Sequence, residues 1–152
     1  MSAPGGGAET LYQRAIVEAA RTATGAGRLP CPHASVSVDN PLCGDRVSID
    51  LAVDGARVSG IAHRVKGCLL CEASASVVAA NALGARAQDL DAVRAALEGA
   101  LANGFDDVAL AWPALEMFAP VAAHRSRHRC VILPFEALCA ALADCRDPGG
   151  DT

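Results

Sequence analysis

The segment Asn40-Pro-Leu-Cys-Gly-Asp45 sets a thiol and a carboxylate two residues apart. Asn-Pro favours a turn and Gly44 lets the backbone bend, so Cys43 and Asp45 can face one point. A thiolate beside a carboxylate is half of a metal site. Gly67-Cys68 supplies a second thiol, on a loop expected to end one strand and open a helix, where the helix N-terminus favours a thiolate. Cys130 is the third, again at an expected helix start and preceded by Arg125, Arg127 and Arg129, whose charges favour the thiolate as well. Three thiolates and one carboxylate suffice for a tetrahedral site. Such a donor set accepts zinc, and thiolates equally hold iron–sulfur clusters.

Two other uses of the cysteines compete with that site. Cys68-Leu-Leu-Cys71 has the spacing of a dithiol redox pair, although such pairs are expected beside a βαβ unit. Otherwise Cys71 is an inert thiol in the first turn of a helix. Cys31, Cys43, Cys68 and Cys71 form a candidate structural zinc site, but closed zinc sites use two tight pairs, and Asp45 would have no part in it. Cys139 and Cys145 read as fillers of an apolar helix, and His33, His63 and His124 as surface or hydrogen-bonded groups.

The elements that must position these residues are legible in the spacing of apolar side chains. Leu11, Ala15, Ile16, Ala19 and Ala20 recur at helical intervals from Thr10 to about Ala23. Ala34–Val38 alternates weakly, and Val47, Ile49, Leu51 and Val53 alternate cleanly with Ser48, Asp50 and Ala52. Asp54-Gly55 signals a tight hairpin, with Val58–Val65 as the return strand. Cys43 before the hairpin and Cys68 after it therefore meet at one edge. Helices are expected from Leu69 to Leu83, from an N-cap at Asp89 to Gly104, briefly from Trp112 with Pro120 beyond its end, and from Cys130 to Asp144 with Pro134 in the first turn. The order predicts an α+β fold with a three-stranded antiparallel sheet packed by helices. One domain over 10–144 is expected, with residues 1–9 disordered and 145–152 a flexible tail.

Composition narrows the class of function. A chain of 152 residues with 52% hydrophobic residues can build one core without disulfides. A net charge of −4, scattered basic residues and 3% aromatics argue against a nucleic-acid partner. The N-terminus lacks the features of a signal peptide, and no apolar run is long enough to span a membrane. A cytoplasmic location, where thiols stay reduced, is the expectation, and seven cysteines there point to metal or sulfur chemistry.

NPLCGD, then GCLLCEASAS with its first cysteine 25 positions after Cys43, then RHRCVILPFEAL, resembles the NifU/IscU/SufU scaffold family over about Tyr12–Leu142. The long interval between Cys68 and Cys130 is similar to that of SufU-type members, which carry an additional helical segment there. The resemblance implies a SufE/NifU-like fold, metal ligation by Cys43, Asp45, Cys68 and Cys130, and support of a thiolate by Arg127. It also implies Cys43 as first sulfur acceptor, with Cys130 as the alternative. The implied activity is iron–sulfur cluster assembly: accepting sulfur from a cysteine desulfurase, scaffolding a nascent cluster, or both, as an accessory protein. Zinc or a transient cluster would be bound, and downstream iron–sulfur acceptor or carrier proteins would be partners. A zinc-stabilised interaction module and a thiol-redox protein are the alternatives. The chain departs from IscU-type members in having Arg129 where they have histidine, in placing His128 one position too early, and in lacking the Leu-Pro-Pro-Val-Lys segment. Cys71 has no counterpart in the family pattern.

Overall fold

A computed structural model describes residues 4–42, 44–106 and 108–146, with side chains from Leu11 to Cys145. Strand β2 (Asp45–Asp54) lies between β1 (Ala34–Asn40) and β3 (Arg57–Lys66) in an antiparallel sheet of order β1-β2-β3. Its alternation is the reason. Val47, Ile49 and Leu51 are fully buried on one face, which the long helix α4 (His128–Arg146) covers across β1 and β2. Helix α2 (Leu69–Asn81) follows β3 directly and packs against both α4 and the first helix, α1 (Pro4–Thr22). Helix α3 (Ala87–Asn103) and a 3₁₀ segment (Pro113–Ala123) close the core with Leu97, Leu101, Leu115 and Phe118. No helix among the described residues is long and apolar enough to cross a membrane.

The expected α+β architecture is what forms, and the departures are local. Helix α1 begins at Pro4 rather than Thr10, since proline's fixed φ suits a first helical position. The hairpin pairs Asp54 with Arg57, so the two loop residues are Gly55 and Ala56, with Gly55 at φ +63. Asp89 is not the cap of α3. It lies three residues after the cap, Arg86, and its carboxylate accepts the Arg86 amide at 3.0 Å. Pro120 falls inside the 3₁₀ segment instead of beyond it. Helix α4 starts two residues before Cys130, which moves Pro134 out of the first turn.

The other sheet face holds one buried charge. The Asp50 carboxylate accepts from Arg64 at 3.2 Å, from the Ser35 hydroxyl at 2.8 Å and from the Leu29 amide at 3.1 Å. Burial opposes its ionisation, but these donors outweigh burial and hold its pKa below the ordinary value of 3.8. A depressed carboxylate pKa contributes stability above the unfolded value, and that stability is lost as pH falls through the folded one. Asp50→Asn should therefore cost roughly 1–3 kcal/mol at pH 7. Denaturant titrations should show this gap closing as the pH drops below 3.8; a gap independent of pH would remove the ionised pair as its source.

Candidate metal centre

Three of the four expected ligands converge in the described structure. One ligand atom each from Asp45, Cys68 and Cys130 lies within 4.8 Å of the others. Two donors on a tetrahedral zinc ion are separated by about 3.5–3.8 Å, from bond lengths near 2.0 Å to oxygen and 2.3 Å to sulfur. The Cys68 sulfur already stands 3.7 Å from Asp45 Oδ2. A modest closure of the cluster would complete three sides of such a site. The residue types and spacing thus fit a metal. Cys43, the fourth expected ligand, lies outside the described residues.

Local structure explains the convergence. The β1–β2 turn closes on Asn40, which pairs with Asp45 across the sheet, accepts the Leu42 amide on its side chain at 3.2 Å and the Gly44 amide on its carbonyl at 2.8 Å. Asp45 thus opens β2 at the sheet end where Arg46 pairs with Lys66, the last residue of β3. The next residue, Gly67, makes the approach possible. A Cβ there would lie 2.6 Å from Asp45 Oδ1 and 2.8 Å from its Cγ, so the carboxylate occupies the space a side chain would need. Cys68 follows as the extended N-cap of α2.

Cys130 arrives from α4, and the serines of α2 hold that helix in place. Ser74, fully buried, donates its hydroxyl to the Val131 carbonyl at 2.6 Å, tying α2 to the residue after Cys130. Ser76, also buried, accepts the Thr24 amide at 3.0 Å and ties α2 to the loop after α1. Neither serine, nor Gly67 as a steric requirement, emerged from the sequence as a site residue. The available signal was polar serine within a helix that has almost no polar face, since a hydroxyl kept among alanines needs a partner.

Cys71 belongs to the site's surroundings. Its thiol donates to the Cys68 sulfur, which is the largest influence on Cys68; burial and the Asp45 charge oppose, the Cys71 amide and Cys130 assist, and the Cys68 pKa falls to about 6. The same hydrogen bond, together with burial, pushes the Cys71 thiol far above its ordinary range. Cys68 is thus prepared as a thiolate and Cys71 as its proton-bearing donor. Cys71 lies in the first turn of α2, as the third residue of that helix.

The remaining candidates separate. Arg127 is exposed on a single 3₁₀ turn (Arg125–Arg127) and lines a groove of about 510 Å³ with Leu69, Leu70, Gln13 and His124, beside the start of α2. Arg129 turns away to pair with Glu136 at 3.1 Å. A ring nitrogen of His128 meets the Ala122 carbonyl at 3.1 Å. Cys31 precedes the Ala34 end of β1, which pairs with Leu51, whereas Asp45 pairs with the other end. At about 3.4 Å per residue the strand keeps Cys31 roughly 20 Å from Asp45, which excludes a zinc site joining Cys31 to Cys68. The antiparallel meander before Cys68 likewise lacks the βαβ unit of a thioredoxin-type pair.

Comparison with known proteins gives these residues a setting. The model of the NifU-like N-terminal domain matches residues 11–142. A nitrogen-fixing NifU-like protein (N-terminal) from Brucella abortus is similar in structure, with a TM-score of 0.83 and 32% identity over 90% of this chain and 94% of that one. A protein described as an iron–sulfur cluster assembly scaffold for the SUF system of Fervidobacterium islandicum shares the fold at a TM-score of 0.78 and 22% identity, covering 88% and 97%. No curated protein matches the chain significantly by sequence.

The close approach at Gly67 makes a direct prediction. Its backbone is not among the positive-φ positions, so alanine fits the main chain and must displace the Asp45 carboxylate. Gly67→Ala should melt near wild type but bind Zn²⁺ at least about tenfold more weakly in competition with a chromophoric chelator. Unchanged affinity would show that Asp45 is not held as a ligand by this contact.

Proposed function

The chain belongs to the NifU-like N-terminal domain family, and from that premise we propose that it accepts sulfur from a cysteine desulfurase and supports assembly of iron–sulfur clusters at a centre built from Cys43, Asp45, Cys68 and Cys130. The observation that carries the reading is the convergence of Asp45, Cys68 and Cys130 within 4.8 Å at one end of the sheet. Zinc is the resident metal that suits three thiolates and a carboxylate, and the cluster is cargo. The cytoplasm is the compartment in which these thiols would stay reduced.

Each side chain has a distinct task. Cys43 is the first acceptor, and Cys130 is the alternative. Transfer requires the acceptor thiolate to attack the outer sulfur of the desulfurase persulfide, so that one sulfur–sulfur bond forms as another breaks and the desulfurase thiolate leaves. A bound metal ion lowers the pKa of the thiols that ligate it and so keeps the acceptor in its reactive form. Cys68, at the start of α2, anchors the centre. Asp45 is the hard ligand among soft ones and the easiest to exchange, which keeps the centre open to incoming sulfur and to cargo leaving. Arg127 stands at the rim, where its fixed charge supports a thiolate during exchange. Downstream acceptor or carrier proteins would receive the finished cluster.

The test is incubation with desulfurase and cysteine under reducing, anaerobic conditions. Wild type should accelerate turnover and gain the mass of one sulfur atom, and Cys43→Ser should lose that mass. Cys68→Ala should abolish both zinc content and stimulation, whereas Cys71→Ala should keep both near wild type. Equal loss from the Cys68 and Cys71 variants would instead indicate a dithiol mechanism. No stimulation by wild type would reduce the protein to a zinc-stabilised module.

A further inference from the structure

The Cys71 thiol is the one sulfur at this site that the proposed function does not use. It belongs to the third residue of α2, and Cys68 is the N-cap of the same helix. The third residue of a helix lies one turn from its N-cap, close enough that in α3 the Asp89 side chain reaches back to the backbone amide of the N-cap Arg86 at 3.0 Å. Two cysteines so placed fall within the Cα separation that a disulfide spans. Their exposure also differs usefully: Cys68 is half-buried and open to a small solute, while Cys71 is wholly buried.

We propose that Cys68 and Cys71 form a reversible disulfide under hydroperoxide, and that this modification switches the metal centre off. The inference rests on the metal-centre reading only for its consequence, not for the bond itself. In the first step the Cys68 sulfur attacks the peroxide, the O–O bond breaks, a sulfenic acid forms on Cys68, and an alcohol or water leaves with the thiol proton. In the second, the Cys71 sulfur attacks the sulfenic sulfur, the S–O bond breaks, and water leaves with the Cys71 proton. Two electrons pass from the two thiols to the peroxide. A dithiol reductant restores both thiols by exchange.

Cys130 is the competing partner, and the fold disfavours it. A Cys68–Cys130 bond would draw the start of α2 onto α4, whose position is fixed by the bond from Ser74 to the Val131 carbonyl. The Cys68–Cys71 bond needs only side-chain rotation within one turn. Once formed, it removes the Cys68 sulfur from a cluster that otherwise contains Asp45 and Cys130. Oxidation then ends in a recoverable disulfide, and the sulfenic acid is not left to advance to irreversible acids.

Tryptic cleavage after Lys66 and Arg86 releases Gly67–Arg86, which contains Cys68 and Cys71 and no other cysteine. Metal-free, full-length protein treated with stoichiometric hydrogen peroxide should yield this peptide lighter by two hydrogens and resistant to alkylation. Its parent protein should bind Zn²⁺ at least about tenfold more weakly until a dithiol is added. Cys71→Ser should instead leave a trappable sulfenic acid at Cys68, while binding Zn²⁺ as wild type does before oxidation. A dominant cross-link from Gly67–Arg86 to the Cys130 peptide would overturn the proposal, as would a disulfide form with undiminished zinc affinity. If reduced wild type takes up no zinc, the metal-centre reading falls, and the peptide map still decides whether the bond forms.

Discussion

The buried Asp45 carboxylate fills the space where residue 67 would carry a side chain, and the rest of the site depends on that contact. It requires glycine at position 67, with carboxylate oxygen 2.6 Å from where a Cβ would stand. It also requires the β2–β3 register that sets Arg46 opposite Lys66, because a slip of one residue would turn Asp45 to the other face of the sheet. The register in turn follows from the apolar alternation of Val47, Ile49 and Leu51 under α4. Core packing and ligand placement are therefore a single constraint.

Two helix starts complete the geometry by different means. Cys68 is placed covalently, directly after Gly67, and is the N-cap of α2. Cys130 comes from a distant segment and needs a tertiary tie, which the Ser74 hydroxyl supplies on Val131. Such a buried hydroxyl–carbonyl bond contributes about 1 kcal/mol to stability, and its direction also fixes how far α4 can slide along α2. Hydrogen bonding from Cys71 is the largest influence lowering the Cys68 pKa. Among the described residues the site thus joins two sulfurs and one carboxylate, held by parts of the chain that are themselves core.

Much of this was legible in the sequence because it depends on local chemistry. The strand alternation and the hairpin signal together place β2 and β3 and bring their ends together at one edge. The hairpin's loop residues were misjudged by one position, because Asp-Gly marks a turn without fixing which pair closes it. Asp89 was misread as a cap because a carboxylate at a helix start serves equally well three residues in, accepting the cap's amide. The Ser74 tie was out of sight for another reason. It depends on which face of α2 meets α4, and a helix this apolar has no amphipathic stripe to reveal it. Arg129 was grouped with Arg125 and Arg127 as a support for Cys130, but its partner Glu136 lies two turns along α4, beyond the local pattern.

The central claim is a centre of three thiolates and one carboxylate, and X-ray absorption at the metal edge of the purified, reduced protein tests it most directly. Three sulfur scatterers near 2.3 Å and one oxygen near 2.0 Å are expected if zinc fills the site. Asp45→Ala should lose the oxygen while the sulfur shell remains. A wild-type shell of four sulfurs, or one made only of nitrogen and oxygen, would contradict a centre in which Asp45 completes the thiolates.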